Sequence, residues 1–407
     1  MVAEVEDEEH ARILAKRCVL IKSVLEFFSS GASYEALHLT NRNKEHLWAP
    51  FQKNTTWKFS VTGYNQTIPK YRQRDVVEGF SYMALKGPVD LANPEQEFCC
   101  FEEYSSKGKE ALRPKYDGDG NFICVYFGRL IAKGQARNLI QKYDVKKRAY
   151  YGNTSMDAEM SLLMANQTLS ANGKLIYDPF VGTGSMLYTV AEFGAYVIGS
   201  DIDGRQMRGK GKEPGVLSSA GQYKVASRIL SLLTFDVTNN PWRCGGLFDA
   251  IITDPPYGVR AGAKRLGRKP GVPSRDSVAA MRDPDTYIPP THPYELSMLA
   301  LDLVILSRYL LKDGGRLVFF LPTVNDEYKE VDIPVVEGME LVANSLENFG
   351  AWGRRLITMV KKESITREAP DLRPRECSER YLDHYVPAHR DFREKYFAGF
   401  NRNPDVP

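Results

Sequence analysis

From Gly173 onward the chain alternates between two hydrophobic periods. "KLIYDPF" is an apolar run that ends on an acid and a proline, "GSMLYTVAEFG" has helical spacing and stops at a glycine, and "AYVIGSD" is again strand-like and closes on an acid. After a Gly- and Lys-rich stretch come "RILSLLTFD", "LFDAIITDPPYG", the long amphipathic "PYELSMLALDLVILSRYLL" and the buried-strand run "GGRLVFFLPT". "MELVANSLENFG" and "RRLITMVKK" close the pattern. Short apolar strands interleaved with helices admit few folds; the expectation is a doubly wound α/β domain, a parallel sheet with helices on both faces.

The preceding part reads differently. Residues from about 8 to 48 carry helical periodicity, with Ile13, Leu14, Val19, Leu20, Val24 and Leu25 as its apolar positions. "TTWKFSVTGY", "EFCCFEEY" and "NFICVYFGRLI" follow as strands, the last two separated by a polar, Gly-containing loop. Residues up to 140 therefore form a small α+β module. A basic connector, 141–157, leads to a helix in "TSMDAEMSLLMANQTL", where Thr154 and Asp157 have the spacing of a helix-start cap. The catalytic-type domain spans 158–361, and the tail 362–407 holds one helical stretch, "RDFREKYF".

Bulk properties exclude more than they identify. With 407 residues and 43% hydrophobic content, two or three cores are affordable. The 54 basic and 51 acidic residues nearly cancel, so any nucleic-acid affinity must come from a local patch. The six cysteines and six histidines are scattered without a CxxC pair, which indicates a reducing compartment and no metal site of the chain's own. There is no apolar stretch of about 18 residues and no signal-peptide core, so a cytoplasmic address without membrane association is expected.

Three stretches carry chemistry. In "DPFVGTGSM", Asp178 to Met186, a strand turns into a helix through Gly182 and Gly184, which lack a Cβ and let a ligand approach the backbone. A dinucleotide loop would need a third glycine at the position of Leu187, and an ordinary tight turn would show the same two glycines. Asp201 ends the next strand about 20 residues on, where an acid binds ribose hydroxyls. An acid there without a phosphate-type loop suits an adenosine ligand lacking phosphates, and S-adenosylmethionine is one. Asp236, ending the third strand, is placed for the adenine amino group, although a loop acid or helix cap would look the same.

The third stretch is "TDPPYGVR". Each proline fixes its own φ and pushes its predecessor to an extended shape, so Asp254 and Pro255 are both held extended. The Asp254 carboxylate and the Pro255 carbonyl can converge on the two N–H groups of a planar amine, with Tyr257 as a stacking face. Next comes "RAGAKRLGRKPGVPSR", where Arg260, Lys264, Arg265, Arg268 and Lys269 lie with no acid among them. The loop is either a phosphate grip or a solvated surface loop.

The order "DPFVGTGS", "GSDID", "TDPPYGVR" resembles the class I S-adenosylmethionine-dependent amino-methyltransferases. The wider runs "KYDVKKRAYYGNTSMDAEMSLLMAN", "FGAYVIGSDID" and "AIITDPPYGVR", with the early "ARILAKRCVLIKSVLEFF", resemble the catalytic subunits of the eukaryotic tRNA guanosine-10 N2-methyltransferases. The resemblance covers about Ala11 to Lys361. It implies that the first module includes a THUMP domain that docks the tRNA acceptor end, and that the portion ahead of that domain is shortened because this chain begins late relative to the family. It also implies that Thr154 and Ser155 lie near the methionine carboxylate of the cofactor. The implied partner is a small zinc-binding activator subunit covering an apolar sheet edge. Other enzyme targets, adenine N6 or a protein glutamine, remain as rivals, as does a non-catalytic RNA-binding scaffold that retains the fold.

Overall fold

The computed structural model describes residues 1–105, 122–209, 214–259, 262–267, 290–362, 368–372, 387 and 389–398. Backbone contacts divide the chain into two units, Met1–Ala136 and Arg137–Pro407.

The first unit contains α1 (Glu8–Arg17), β1 (Ser23–Gly31), α2 (Tyr34–Asn43), α3 (Glu45–Trp48), β2 (Trp57–Tyr64), α4 (Lys70–Gly79), β3 (Gln96–Tyr104) and β4 (Phe122–Lys133). Its four-stranded sheet has the order β1-β4-β3-β2, with β2 and β3 parallel and the other neighbours antiparallel. Phe28, Leu37, Trp48, Phe80, Phe98 and Phe127 form its core. The helical periodicity expected over 8–48 is broken. α1 ends at Arg17, and Val24 and Leu25 lie on β1. The buried face of α1 is Ala11 and Ala15, spaced i and i+4, whereas Ile13 is 54% exposed and Leu20 lies in the exposed turn beyond. Small residues let this helix approach the sheet closely, a signal that an apolar-residue count overlooks.

The second unit begins within α5 (Ala136–Lys142) and goes on with α6 (Ala158–Gln167), β5 (Leu175–Asp178), α7 (Ser185–Glu192), β6 (Tyr196–Asp201), α8 (Gly204–Arg208), α9 (Val216–Gln222) and β7 (Ile229–Thr234). It continues with β8 (Phe248–Thr253), β9 (Lys264–Leu266), β10 (Thr291–Pro293), α10 (Leu296–Leu310), β11 (Leu311–Val324), β12 (Met339–Asn348), β13 (Trp352–Lys361) and α11 (Phe392–Ala398). Seven strands make one sheet of order β12-β13-β11-β8-β5-β6-β7. The five strands from β11 to β7 are parallel, but β13 runs antiparallel to both β11 and β12. The all-parallel expectation therefore fails at one edge, because β12 and β13 follow one another through a short turn and no crossover helix lies between them. α10 is apolar nearly all round and buried to match. With Tyr177, Phe248, Leu317, Phe319 and Ile357 it forms the core of this unit.

The chain goes from β5 outward to β6 and β7, then returns to place β8 on the other side of β5. That reversal opens a crevice at the carboxyl ends of β5 and β8, the usual ligand position in an open parallel sheet.

Candidate active site

β5 delivers Asp178 to this crevice, fully buried. Its Oδ1 accepts hydrogen bonds from the Phe180 amide at 2.9 Å and from Thr253 Oγ1 at 2.8 Å. The last residue of β8 is thus tied across the switch point to the last residue of β5, and Asp254 follows directly. Burial pushes the Asp178 carboxyl up to about 7, and the charges of Asp201 and Asp254 push the same way. Three acids therefore share one electrostatic neighbourhood.

Asp201, at the end of β6, accepts from the Gly182 amide through Oδ2 and from the Asp203 amide through Oδ1, both at 2.9 Å. Burial raises its pKa as well. Asp203 has a different role, capping α8 and pairing with Arg205 at 2.8 Å.

Between β5 and α7 the backbone turns through Gly182 at φ 51° and Gly184 at φ 85°. Both lie in the left-handed region that glycine adopts without strain. A Cβ on Gly182 would sit 3.4 Å from Thr154 Oγ1, so Thr154 lies beside the turn. Ser155 Oγ and Thr183 Oγ1 are 2.8 Å apart in a hydrogen bond. The helix-start pattern resolves in favour of Asp157, which caps α6 by accepting from the Met160 amide, and Thr154 stays outside the helix. Buried Arg148 secures the segment: its Nη1 donates to Ser185 Oγ at 2.7 Å, and the same Oγ accepts from the Met156 amide at 3.1 Å.

Asp236 lies apart from this cluster in its bonding. It accepts from the Thr238 amide at 2.8 Å and from the Leu266 amide at 2.5 Å, and so anchors β9. A ligand amine there would have to share oxygens already engaged, which a carboxylate with four lone-pair sites permits.

At the proline corner Pro255 is buried, and Asp254 and Tyr257 are partly exposed. Tyr257 bridges to Gly262, and its ring meets Phe392 of α11 at 6.2 Å with planes at 80°. Of the basic residues, Lys264 is exposed on β9 and the Arg265 guanidinium lies 5.4 Å over the Tyr294 ring. Arg260, Arg268 and Lys269 lie outside the described residues.

Sequence reasoning missed Arg354. From β13 it donates to Glu347, lies 3.7 Å from Asp157, and sends Nη1 to within 3.3 Å of Met156 Sδ. Burial opposes its charge, yet the Glu347 hydrogen bond and the charges of Glu347, Asp254 and Tyr257 outweigh that and raise its pKa. An arginine at the start of a strand carries no motif; only the antiparallel turn of β13 brings it here.

A family model described as "Tmrp11 THUMP N-terminal domain" matches residues 1–136, and one described as "RMKL-like, methyltransferase domain" matches 146–269. A Schizosaccharomyces pombe protein named tRNA (guanine(10)-N(2))-methyltransferase is 38% identical, over 99% of this chain and 81% of its own length. The chain belongs to the tRNA (guanine(10)-N(2))-methyltransferase family. Members from Saccharomyces cerevisiae and Homo sapiens are 34% and 35% identical, each over 98% of this chain and over 90% and 87% of their own lengths. Its first unit is the family's THUMP-type domain and its second a class I methyltransferase fold. All of the candidate residues named from sequence fall within 146–269; Arg354 and Phe392 fall beyond it.

Proposed function

We propose that this chain transfers a methyl group to the exocyclic N2 amine of a guanosine in tRNA, at position 10 as in the relatives' names, with S-adenosylmethionine as donor. The observation that carries the reading is the joint between β5 and β8: the Thr253–Asp178 hydrogen bond fixes the Asp254-Pro255-Pro256-Tyr257 corner beside the glycine turn. The donor set fits the cofactor. Gly182, whose Cβ position meets only Thr154, leaves the backbone open to a ligand, Gly184 supplies the left-handed turn packed on Tyr188, and the charges of Asp201 and Asp254 weigh on Asp178 in a way that a cationic ligand relieves. When bound, the cofactor supplies an electrophilic methyl on a positively charged sulfur.

The chain's own residues do the rest. Asp201 binds the ribose, Asp178 and the Gly182–Gly184 turn hold the amino-acid end together with Thr154 and Ser155, and Asp236 takes the adenine amine. The Asp254 carboxylate and the Pro255 carbonyl accept from the two N–H groups of the guanine amine and favour a pyramidal nitrogen, whose lone pair is then directed at the methyl. Asp254 takes the proton that the product nitrogen sheds. Tyr257 stacks on the base, which offsets the cost of taking it out of its helix. Lys264, Arg265 and the basic loop grip the flanking phosphates. The THUMP-type unit docks the tRNA acceptor end.

Replacing Asp254 by Asn tests the core of this. Cofactor affinity by calorimetry should stay within about twofold while methyl transfer falls about 10²–10³-fold, the size of losing one transition-state hydrogen-bonding group. Turnover near wild type would sink the reading.

A small zinc-binding activator subunit and a cytoplasmic address belong to the same proposal. Exposed Leu230 on edge strand β7, and Leu341, Val342 and Leu346 on edge strand β12, are apolar sites that a partner could cover. Co-expression with the activator and gel filtration test the pairing; separate elution of the two chains rejects it. Among the described residues no helix is long and apolar enough to cross a membrane, and cell fractionation tests the compartment.

A further inference from the structure

The stretch "RDFREKYF" has no chemical motif, yet it lies against the proline corner. Phe392 is 1% exposed and is the hub of an aromatic cluster. Its ring meets Trp352 at 5.8 Å and Tyr396 at 6.1 Å, and Trp352 meets Tyr396 at 5.4 Å. The fourth ring in contact is Tyr257. One residue on, the aliphatic stem of Arg393 lies 3.0–3.3 Å from the point a Cβ on Gly258 would take, so the backbone after Tyr257 is packed as well as its ring. Lys395, about one turn after Phe392, pairs with Glu327.

We propose that α11 is a wall of the substrate site and that Phe392 is a positioning residue for Tyr257. This rests on the stacking role given to Tyr257 above. A stacking ring is useful only if its plane is held before the base arrives, because ordering it afterwards would be charged against binding. A phenol at the tip of a strand-end turn has two free torsions, and the corner's prolines stiffen the backbone but not the ring. A near-perpendicular aromatic contact, anchored in turn by Trp352 and Tyr396, supplies that restraint.

The test uses the full chain with tRNA and cofactor. Phe392→Ala should lower kcat about tenfold, the scale of one aromatic contact, with cofactor affinity unchanged. Should Phe392→Ala fold poorly, Phe392→Leu keeps apolar volume without the ring and should lose about threefold or more. Phe392→Tyr should restore most of the rate. The decisive arm is the double variant: in a Tyr257→Ala background, Phe392→Ala should cost less than about twofold, because its effect passes through the missing ring. Additive losses, or a folded Phe392 variant with a wild-type kcat, overturn the proposal while leaving the base-stacking role standing. A wild-type kcat in Tyr257→Ala alone instead removes the stacking role, and with it the reason for a positioning residue.

Discussion

Asp178 carries an electrostatic cost that the fold tolerates at its switch point. Its folded-state pKa of about 7 lies above the ordinary 3.8, so the folded state holds a proton that the unfolded chain releases. The stabilising contribution is fully present below about pH 4 and is lost as pH rises through about 7. Asp178→Asn keeps an oxygen for Phe180 and Thr253 but cannot ionise. Its melting temperature should fall less than that of the wild type between about pH 5 and pH 8 in scanning calorimetry; parallel curves for the two proteins would show that Asp178 is already ionised when folded. Asp201 is raised by burial in the same direction, with the Gly182 and Asp203 amides opposing the shift. Asp201→Ala removes both the proposed ribose partner and the acceptor that shapes the turn. Cofactor affinity should weaken about 10–100-fold, the cost of one or two charged hydrogen bonds, and an unchanged dissociation constant would contradict the ribose role.

At the scale of elements, the turn between β5 and α7 depends on Gly184. Its φ is 85°, and a Cβ there would come within 2.7 Å of the Tyr188 hydroxyl, which donates to the Thr183 carbonyl, and 2.9 Å from Val216 Cγ1. Gly184→Ala should cost about 1–3 kcal/mol in denaturant unfolding, from backbone strain and the lost Tyr188 position together; a cost under about 0.5 kcal/mol would mean the turn relaxes easily. This element was legible in the sequence because an acid, a proline and two glycines bounded by a strand and a helix leave little else to build. So were β5, β6, β7 and β8, whose apolar runs each end at a polar turn. The direction of β13 was not legible, because a buried strand has the same composition whichever way it runs; Arg354 was lost with it. α1 was misread because its buried face is two alanines. Phe392 was hidden for a related reason: no local period in "RDFREKYF" says which distant ring it meets.

For the molecule as a whole, near-neutral charge means that RNA affinity must come from local patches, which the proposal places on both units. Their cores share no residue: one is built from Phe28 to Phe127, the other from Tyr177 to Leu372. Separate cores allow separate folding, so a chain reduced to Arg137–Pro407 should keep the cofactor affinity of the full chain within about twofold, since every residue assigned to the cofactor lies in it. Its tRNA affinity should fall by about tenfold or more, and the slope of log affinity against log salt should become shallower as phosphate contacts are lost. Filter binding across a salt series measures both quantities at once. If the shortened chain bound tRNA as tightly as the full one, with the same slope, the phosphate contacts would reside on β9 and the basic loop and the THUMP-type unit would contribute none. A shallower slope with affinity retained would instead mean that the first unit adds charge contacts offset by its own ordering cost.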